Sequence, residues 1–111
     1  MPKRDFTLYL HDILESIEKI MEYTKGMTFE EFCDSSLVTD AVVRNFEIIG
    51  EAAARVPKEI REAHSSIPWE KMKSMRNIVI HEYFGVEHDI LWTTIKKSLP
   101  VLEEEISKII K

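Results

Sequence analysis

The segment SSLVTDAVVRNFEIIGEAAARV, residues 35–56, decides the fold of this chain. Its apolar residues recur at spacings of three and four: Val42, Phe46, Ile49 and Ala53. That period is typical of an amphipathic α-helix, which we expect to run to about Val56. Gly50 and the small residues 52–54 have little side-chain volume, so the backbone of another helix can come close. The segment therefore predicts a long helix with a close helical neighbour.

The chain before this segment carries the same helical period. Its stripe consists of Phe6, Leu10, Ile13, Ile17 and Ile20. We expect this first helix to end near Gly26. Thr28 and Glu31 have the spacing of a capping box, which predicts the start of a short helix. Ser35 or Ser36 can then cap the long helix.

The chain after this segment is punctuated by prolines. Pro57 suits the first turn of a brief helix that reaches Ala63, and Pro68 pre-sets the start of a further helix near Trp69. The expected buried stripe of that helix is Trp69, Met72, Met75 and Val79. Gly85 is its expected terminator.

A last helix is predicted from about Glu87 to the end of the chain. Its stripe consists of Leu91, Ile95, Leu99, Leu102, Ile106 and Ile109. Pro100 lies in its interior, where we expect a bend because the ring blocks one backbone hydrogen bond. No segment has the alternating pattern of a strand. The patterns predict an all-α fold, an up-and-down bundle of four to five helices, in a single domain over residues 1–111.

Length and composition restrict the class of protein. With 111 residues the chain can bury one core without disulfides, and its single cysteine, Cys33, excludes an intrachain disulfide. Residues 1–5 lead into an amphipathic stretch rather than an apolar signal segment. No apolar run approaches the roughly 20 residues that span a bilayer. We therefore expect a cytoplasmic protein without a membrane segment.

The charges give mixed indications about a nucleic-acid substrate. The net charge is -5, with 15 Lys and Arg against 20 Asp and Glu, so long-range attraction to RNA or DNA is not expected. From Arg55 to Arg76, however, six basic residues accompany three acidic ones, so this stretch is +3 and the remainder -8. A solvated helical face is the ordinary explanation of such a stretch.

The segment RNIVIHEY, residues 76–83, combines a permanent cation, an imidazole and a phenol. Arg76 offers a fixed fork of donors to phosphate oxygens, and histidine, the residue type at position 81, has a reference pKa of roughly 6.5. Together they could act on a phosphate without a metal. A surface ion pair and a helix C-terminal histidine would explain the same residues without catalysis. Glu47 and Glu51, one turn apart, are candidate contacts of Arg76 or of a second protomer.

Arg76, followed by four residues and then His81, Glu82 and Tyr83, resembles the R-x4-H-x-Y motif of HepT-type proteins. These are small all-α members of the HEPN superfamily. The likeness extends to segments 45–52, 67–69 and 83–84 and to a last helix of the same length. The resemblance implies one HEPN-like domain without a gap or an added domain.

The resemblance also implies roles for the motif residues. Arg76 and His81 would be the catalytic pair of a metal-independent ribonuclease that acts as a toxin and needs no cofactor. Tyr83 would be the target of its antitoxin, a minimal nucleotidyltransferase that transfers AMP from ATP and silences the nuclease. The added nucleotide would block RNA by its bulk and by negative charge beside Arg76. The chain has no nucleotidyltransferase motif of its own.

One regular helix does not bring Arg76 and His81 together, because five residues separate them by about 140° around the axis. Either the helix loosens towards Gly85, or Arg76 of one protomer meets His81 of another across a two-fold axis. HEPN nucleases of this type are dimers whose motif helices face each other. The resemblance therefore implies a homodimer with Ile80 at the interface, and it leaves a larger assembly with the antitoxin open.

An RNA substrate suggests attack by a ribose 2′-hydroxyl on the adjacent phosphate, so that DNA would be refused. His81 would move the proton, and Arg76 would stabilise the charge on the phosphoryl oxygens. The products would be a cyclic phosphate and a 5′-hydroxyl. Asn77 could orient His81 or donate to the phosphate. Lys71 and Lys73 are candidate contacts to the RNA, with tRNA among the candidate substrates.

Two alternatives stay open. The first is a catalytically silent helical module that binds a nucleotidyltransferase or a nucleotide, which the acidic net charge favours. The second is a structural oligomerisation domain. A nuclease needs Arg76 and His81 on an open basic cleft, whereas a docking module can bury them in ion pairs. No metal site is expected, because His81, Glu82 and His88 lack a recognised ligand spacing.

Overall fold

The computed structural model describes residues 5–82 and 88–110, with the side chains of residues 5–76 and 88–110. This part of the chain contains helices and no strand, so the all-α prediction is confirmed. The elements are α1 (Phe6–Thr24), α2 (Phe29–Asp34), α3 (Ser36–Arg55), α4 (Lys58–Ala63), α5 (Trp69–Glu82), α6 (His88–Thr93), a π-helical segment (Thr94–Ser98) and α7 (Leu99–Ile110).

The short polar residues between the apolar stripes cap the helices as expected. The backbone N–H of Glu31 donates to Thr28 Oγ1 at 3.1 Å, and the Thr28 N–H donates to Glu31 Oε1 at 2.9 Å. This reciprocal capping box starts α2. Ser35 caps α3 by accepting from the N–H of Val38 at 3.2 Å. Gly26, just beyond α1, has a φ of 75° that suits glycine.

The core lies where α3 packs between α1 and α5. All but one of the predicted stripe residues are buried there: Leu10, Ile13, Ile17 and Ile20 of α1, and Val42, Phe46, Ile49 and Ala53 of α3. Phe6, the first residue of the α1 stripe, is half-buried against the core. Removal of these side chains from water is the main source of stability for such a bundle. The spacing of apolar residues therefore identified the inward face of both helices correctly.

Helix α5 begins at Trp69, as Pro68 indicates. Trp69 and Met72 are buried, and the indole N–H of Trp69 donates to the carbonyl oxygen of His64 at 3.0 Å. Met75 is half-buried against the core. The expected terminator at Gly85 lies outside the described residues.

A π-helical segment, Thr94–Ser98, lies just before Pro100, the position at which a bend was predicted. Proline has no N–H to donate, and its ring crowds the carbonyl group four residues earlier. In the structure the N–H of Leu99 donates to the carbonyl oxygen of Thr94. This hydrogen bond spans one residue more than that of an α-helix, as is typical of a π-helical turn. Leu91, on α6, and Leu102, on α7, are both buried, so the stripe faces the core on either side of the interruption.

The start of α6 is attached to α2 by aromatic contacts. The rings of Phe32 and Trp92 lie 5.2 Å apart, and the His88 imidazole meets Phe32 edge-on at 6.0 Å. Lys96 covers the Trp92 ring at 4.5 Å. These contacts hold the last part of the bundle against α2. No helix in the described part of the chain has the length and apolar content needed to cross a membrane.

Candidate functional site

Arg76 lies at a close contact between α3 and α5. A Cβ atom added to Gly50 would lie 2.5 Å from the Arg76 Cβ and 2.7 Å from its backbone nitrogen. No residue other than glycine fits there without a shift of the two helices, because the opposing atoms belong to or adjoin the backbone. The expectation that Gly50 admits a close neighbour is confirmed, and that neighbour is the motif arginine.

The position of Arg76 continues the buried stripe of α5. Trp69, Met72 and Arg76 follow one another at spacings of three and four, so all three lie towards the core side of the helix. The Arg76 side chain keeps 25% exposure, and its guanidinium Nη1 lies 3.5 Å from Glu51 Oε1. The stem of Arg76 is therefore held in the helix contact while its charged end reaches solvent.

The Glu51 carboxylate is the described partner of that guanidinium. Its side chain is 47% exposed, and it sits one residue after the glycine that contacts Arg76. Glu47, the other acidic candidate, instead lies 3.4 Å from Arg44. One of the two expected acidic contacts of Arg76 is thus present and the other is not.

The two candidate lysines differ in their relation to Arg76. Lys73 is half-buried and lies three positions before Arg76, on an adjoining part of the helix surface. Lys71 is exposed and borders a mainly apolar cavity of about 590 Å³ between α5 and the last helices. Helix spacing alone places Lys73 near Arg76, and the roles of both lysines stay predictions.

The structure describes the other motif residues only in part. Asn77 and His81 belong to helix α5, and their side chains lie outside the described residues, as does all of Tyr83. The pairing of Arg76 with His81 therefore stays a prediction. Within residues 5–76 and 88–110, no group of three His, Cys, Asp or Glu side chains could hold a metal ion.

The sequence matches the family described as "Ribonuclease HepT-like" over residues 13–109. "Putative RNase MJ1216" of Methanocaldococcus jannaschii is 45% identical over 111 residues, which cover 100% of this chain and 92% of that protein. "Putative RNase TTE0752" of Caldanaerobacter subterraneus is 47% identical over 103 residues, 93% of this chain and 92% of that protein. No solved structure gives a significant match.

A third relative, "Probable ribonuclease HepT" of Thermococcus cleftensis, is 42% identical over 109 residues, 98% of this chain and 99% of that protein. These matches extend over nearly the full length of both partners, so they concern the whole helical domain and not the motif alone. They confirm the resemblance carried by the motif. The chain belongs to the HepT-like ribonuclease family.

Proposed function

We propose that this chain is the metal-independent endoribonuclease toxin of a toxin–antitoxin pair, with Arg76 and His81 as its catalytic pair. One observation carries the proposal: Arg76 is packed at the α3–α5 contact, its side chain remains 25% exposed, and its guanidinium faces the Glu51 carboxylate through Nη1. Membership of a ribonuclease family supports the same substrate class.

The ion pair of Arg76 with Glu51 is weak enough to share the guanidinium with a phosphate. Both side chains reach solvent, and a pair of this kind contributes only about 0–1 kcal/mol to stability. A phosphodiester can accept two hydrogen bonds from the guanidinium fork, which makes a strong, charge-assisted contact. RNA can therefore bind one edge of the guanidinium while Glu51 holds another and the helix contact keeps the stem of Arg76 in place.

The proposed reaction uses the RNA's own 2′-hydroxyl as nucleophile. His81 accepts or delivers a proton, and Arg76 stabilises the negative charge that develops on the phosphoryl oxygens. The phosphorus–oxygen bond to the 5′ oxygen breaks, leaving a cyclic phosphate and a 5′-hydroxyl. Asn77 orients His81 or donates to the phosphate, and Lys73 lies near enough along α5 to assist in RNA binding.

The proposed control is transfer of AMP to Tyr83 by a nucleotidyltransferase antitoxin. The phosphate of the attached nucleotide would compete with RNA for Arg76, because both are anions that seek the same donors. A Tyr83→Phe variant should therefore stay active after treatment with the antitoxin and ATP. Mass spectrometry of the treated wild type would show whether AMP is added.

The deciding experiment is cleavage of purified RNA, including tRNA, in EDTA with mapping of the product ends. The wild type should cut, whereas Arg76→Ala and His81→Ala should each lose at least about 100-fold in rate. Lys58→Ala removes an exposed positive charge from α4 and serves as the charge control. A 2′-deoxy substitution at the cleaved position should block the reaction.

The second candidate function is a catalytically silent module that docks a nucleotidyltransferase. The net charge of -5 and the pairing of Arg76 with Glu51 favour it. The protein used in the assay is first shown by mass spectrometry to carry an unmodified Tyr83. If RNA then stays intact after incubation, the result supports this module and rejects the nuclease. If Arg76→Ala and His81→Ala both still cut RNA, Arg76 and His81 are not the catalytic pair.

A further inference from the structure

A cavity of about 280 Å³ opens between α1 and α3 next to the candidate site. Its lining consists of Tyr9, Asp12, Arg44, Ile48, Glu51, Ala52 and Arg55. Glu51 belongs to this wall and also pairs with Arg76 on α5. The cavity and the candidate catalytic arginine therefore lie on the two sides of one carboxylate.

Four of the lining residues from α3 follow a single line along that helix. Arg44, Ile48, Glu51 and Arg55 are spaced by four, three and four residues, which places them on one face. At a rise of 1.5 Å per residue, Arg55 lies about 6 Å beyond Glu51 along the axis, and Arg44 about 10 Å on the other side. An RNA strand that reaches Arg76 past Glu51 can therefore continue along α3 to Arg55 in one direction or to Arg44 in the other.

The two arginines differ in how strongly their charge is already neutralised. The Arg44 side chain is 66% exposed and lies 3.4 Å from Glu47. Arg55 is exposed and has no ion pair or side-chain hydrogen bond within the part of the chain that the structure describes. Asp12 contributes an opposing negative charge to the cavity, so binding depends on direct contact rather than on a broad positive field.

We propose that the cavity between α1 and α3 is a phosphate subsite for the RNA strand, with Arg55 as its main contact and Arg44 as its second. The inference rests on the proposed function, since it assumes that the reacting phosphate lies at Arg76. The guanidinium of Arg55 binds a phosphodiester that flanks the reacting one. Arginine suits this role because its fork donates two parallel hydrogen bonds to phosphate oxygens.

The test measures RNA binding in a His81→Ala background, where cutting cannot deplete the probe. Fluorescence anisotropy with a labelled single-stranded RNA should show that Arg55→Ala weakens binding about tenfold and lowers the salt slope by about one. Arg55→Lys, which keeps the charge without the fork, should fall in between. Lys58→Ala, a charge loss outside the cavity, should leave binding within about twofold. Circular dichroism checks that each variant is folded.

The outcomes separate the subsite from the catalytic proposal. Binding that needs Arg55, in a protein whose wild type never cuts RNA, supports the subsite and rejects the nuclease. Cutting by the wild type with unchanged affinity in Arg55→Ala rejects the subsite alone. A further experiment measures competition by ATP or inorganic phosphate. If Arg55→Ala weakens the binding of ATP and leaves RNA affinity unchanged, the cavity is a nucleotide site and the RNA subsite is overturned.

Discussion

At the residue scale, the ion pair between Arg76 and Glu51 makes Glu51 a positioning residue for the proposed reaction. Glu51→Gln removes the charge and nearly preserves the shape, so the guanidinium loses the partner that fixes its direction. We expect the cleavage rate constant to fall about tenfold while RNA affinity is unchanged or higher, because a competitor of phosphate is gone. Single-turnover cleavage and anisotropy measure the two quantities separately.

The matched control for this prediction is Glu47→Gln, which removes a carboxylate one turn earlier that pairs with Arg44. It should leave the rate constant within about twofold, since surface pairs contribute little on their own. The free energy of unfolding, from thermal denaturation, should change by less than about 1 kcal/mol in both variants. Equal losses of rate in the two variants would argue for a general charge effect and against a specific role of Glu51.

Gly50 offers a second prediction at this scale. Gly50→Ala would place a methyl group against the Cβ and backbone nitrogen of Arg76, so α3 and α5 must separate. We expect a loss of about 1–3 kcal/mol in the free energy of unfolding, together with reduced cleavage, because Arg76 moves with α5. Thermal denaturation and the RNA assay below the unfolding temperature test both parts.

Gly26→Ala is the natural comparison, because Gly26 has a φ of 75° and open space around its Cβ position. Backbone strain should destabilise that variant by about 1–2 kcal/mol without a change in cleavage by the folded protein. If Gly50→Ala unfolded at the temperature of the wild type and cut RNA normally, the close contact would have no functional importance.

At the scale of the elements, the capping box of α2 provides a test of local stability. Thr28→Ala removes the oxygen that accepts the Glu31 N–H, so we expect about 1 kcal/mol of destabilisation and a fall of about 4 °C in Tm. Thr93→Ala alters an exposed threonine with no side-chain cap hydrogen bond and should stay within about 0.5 kcal/mol of the wild type. Similar Tm values for the two variants would contradict the role of the capping box.

At the scale of the whole molecule, the proposed dimer predicts complementation between inactive protomers. If each site takes Arg76 from one protomer and His81 from its partner, a mixed dimer of Arg76→Ala and His81→Ala contains one intact site. Random mixing should then restore about one quarter of the wild-type activity, because half of the dimers are mixed and each has one of two sites. The assay is cleavage after the two variants are unfolded and refolded together.

A site within a single protomer gives the opposite result, since neither variant chain carries both residues. The mixture would then stay as inactive as its components. Light scattering on the same samples reports the oligomeric state, so absence of a dimer is distinguished from a dimer with separate sites. Wild-type protein refolded in parallel controls for the recovery of activity.

Most of the fold could be predicted from the sequence because its signals are local. The period of Val42, Phe46 and Ile49 marked the inward face of α3, and Thr28 with Glu31 marked the start of α2. These features depend on residues within one or two turns of each other. Pro100 predicted a bend for the same reason, whereas the π-helical segment that precedes it was not predicted.

The sequence by itself determined the helical class, the inward faces and the motif that carries the family assignment, because each is written within one helix or one short segment. Only the tertiary structure decided that Gly50 meets Arg76, that Glu51 rather than Glu47 pairs with it, and that Arg55 shares a cavity with Tyr9. Residues far apart in the chain become neighbours through helix packing. Periodicity specifies which face of a helix is buried, but it does not specify which residue of another helix lies opposite.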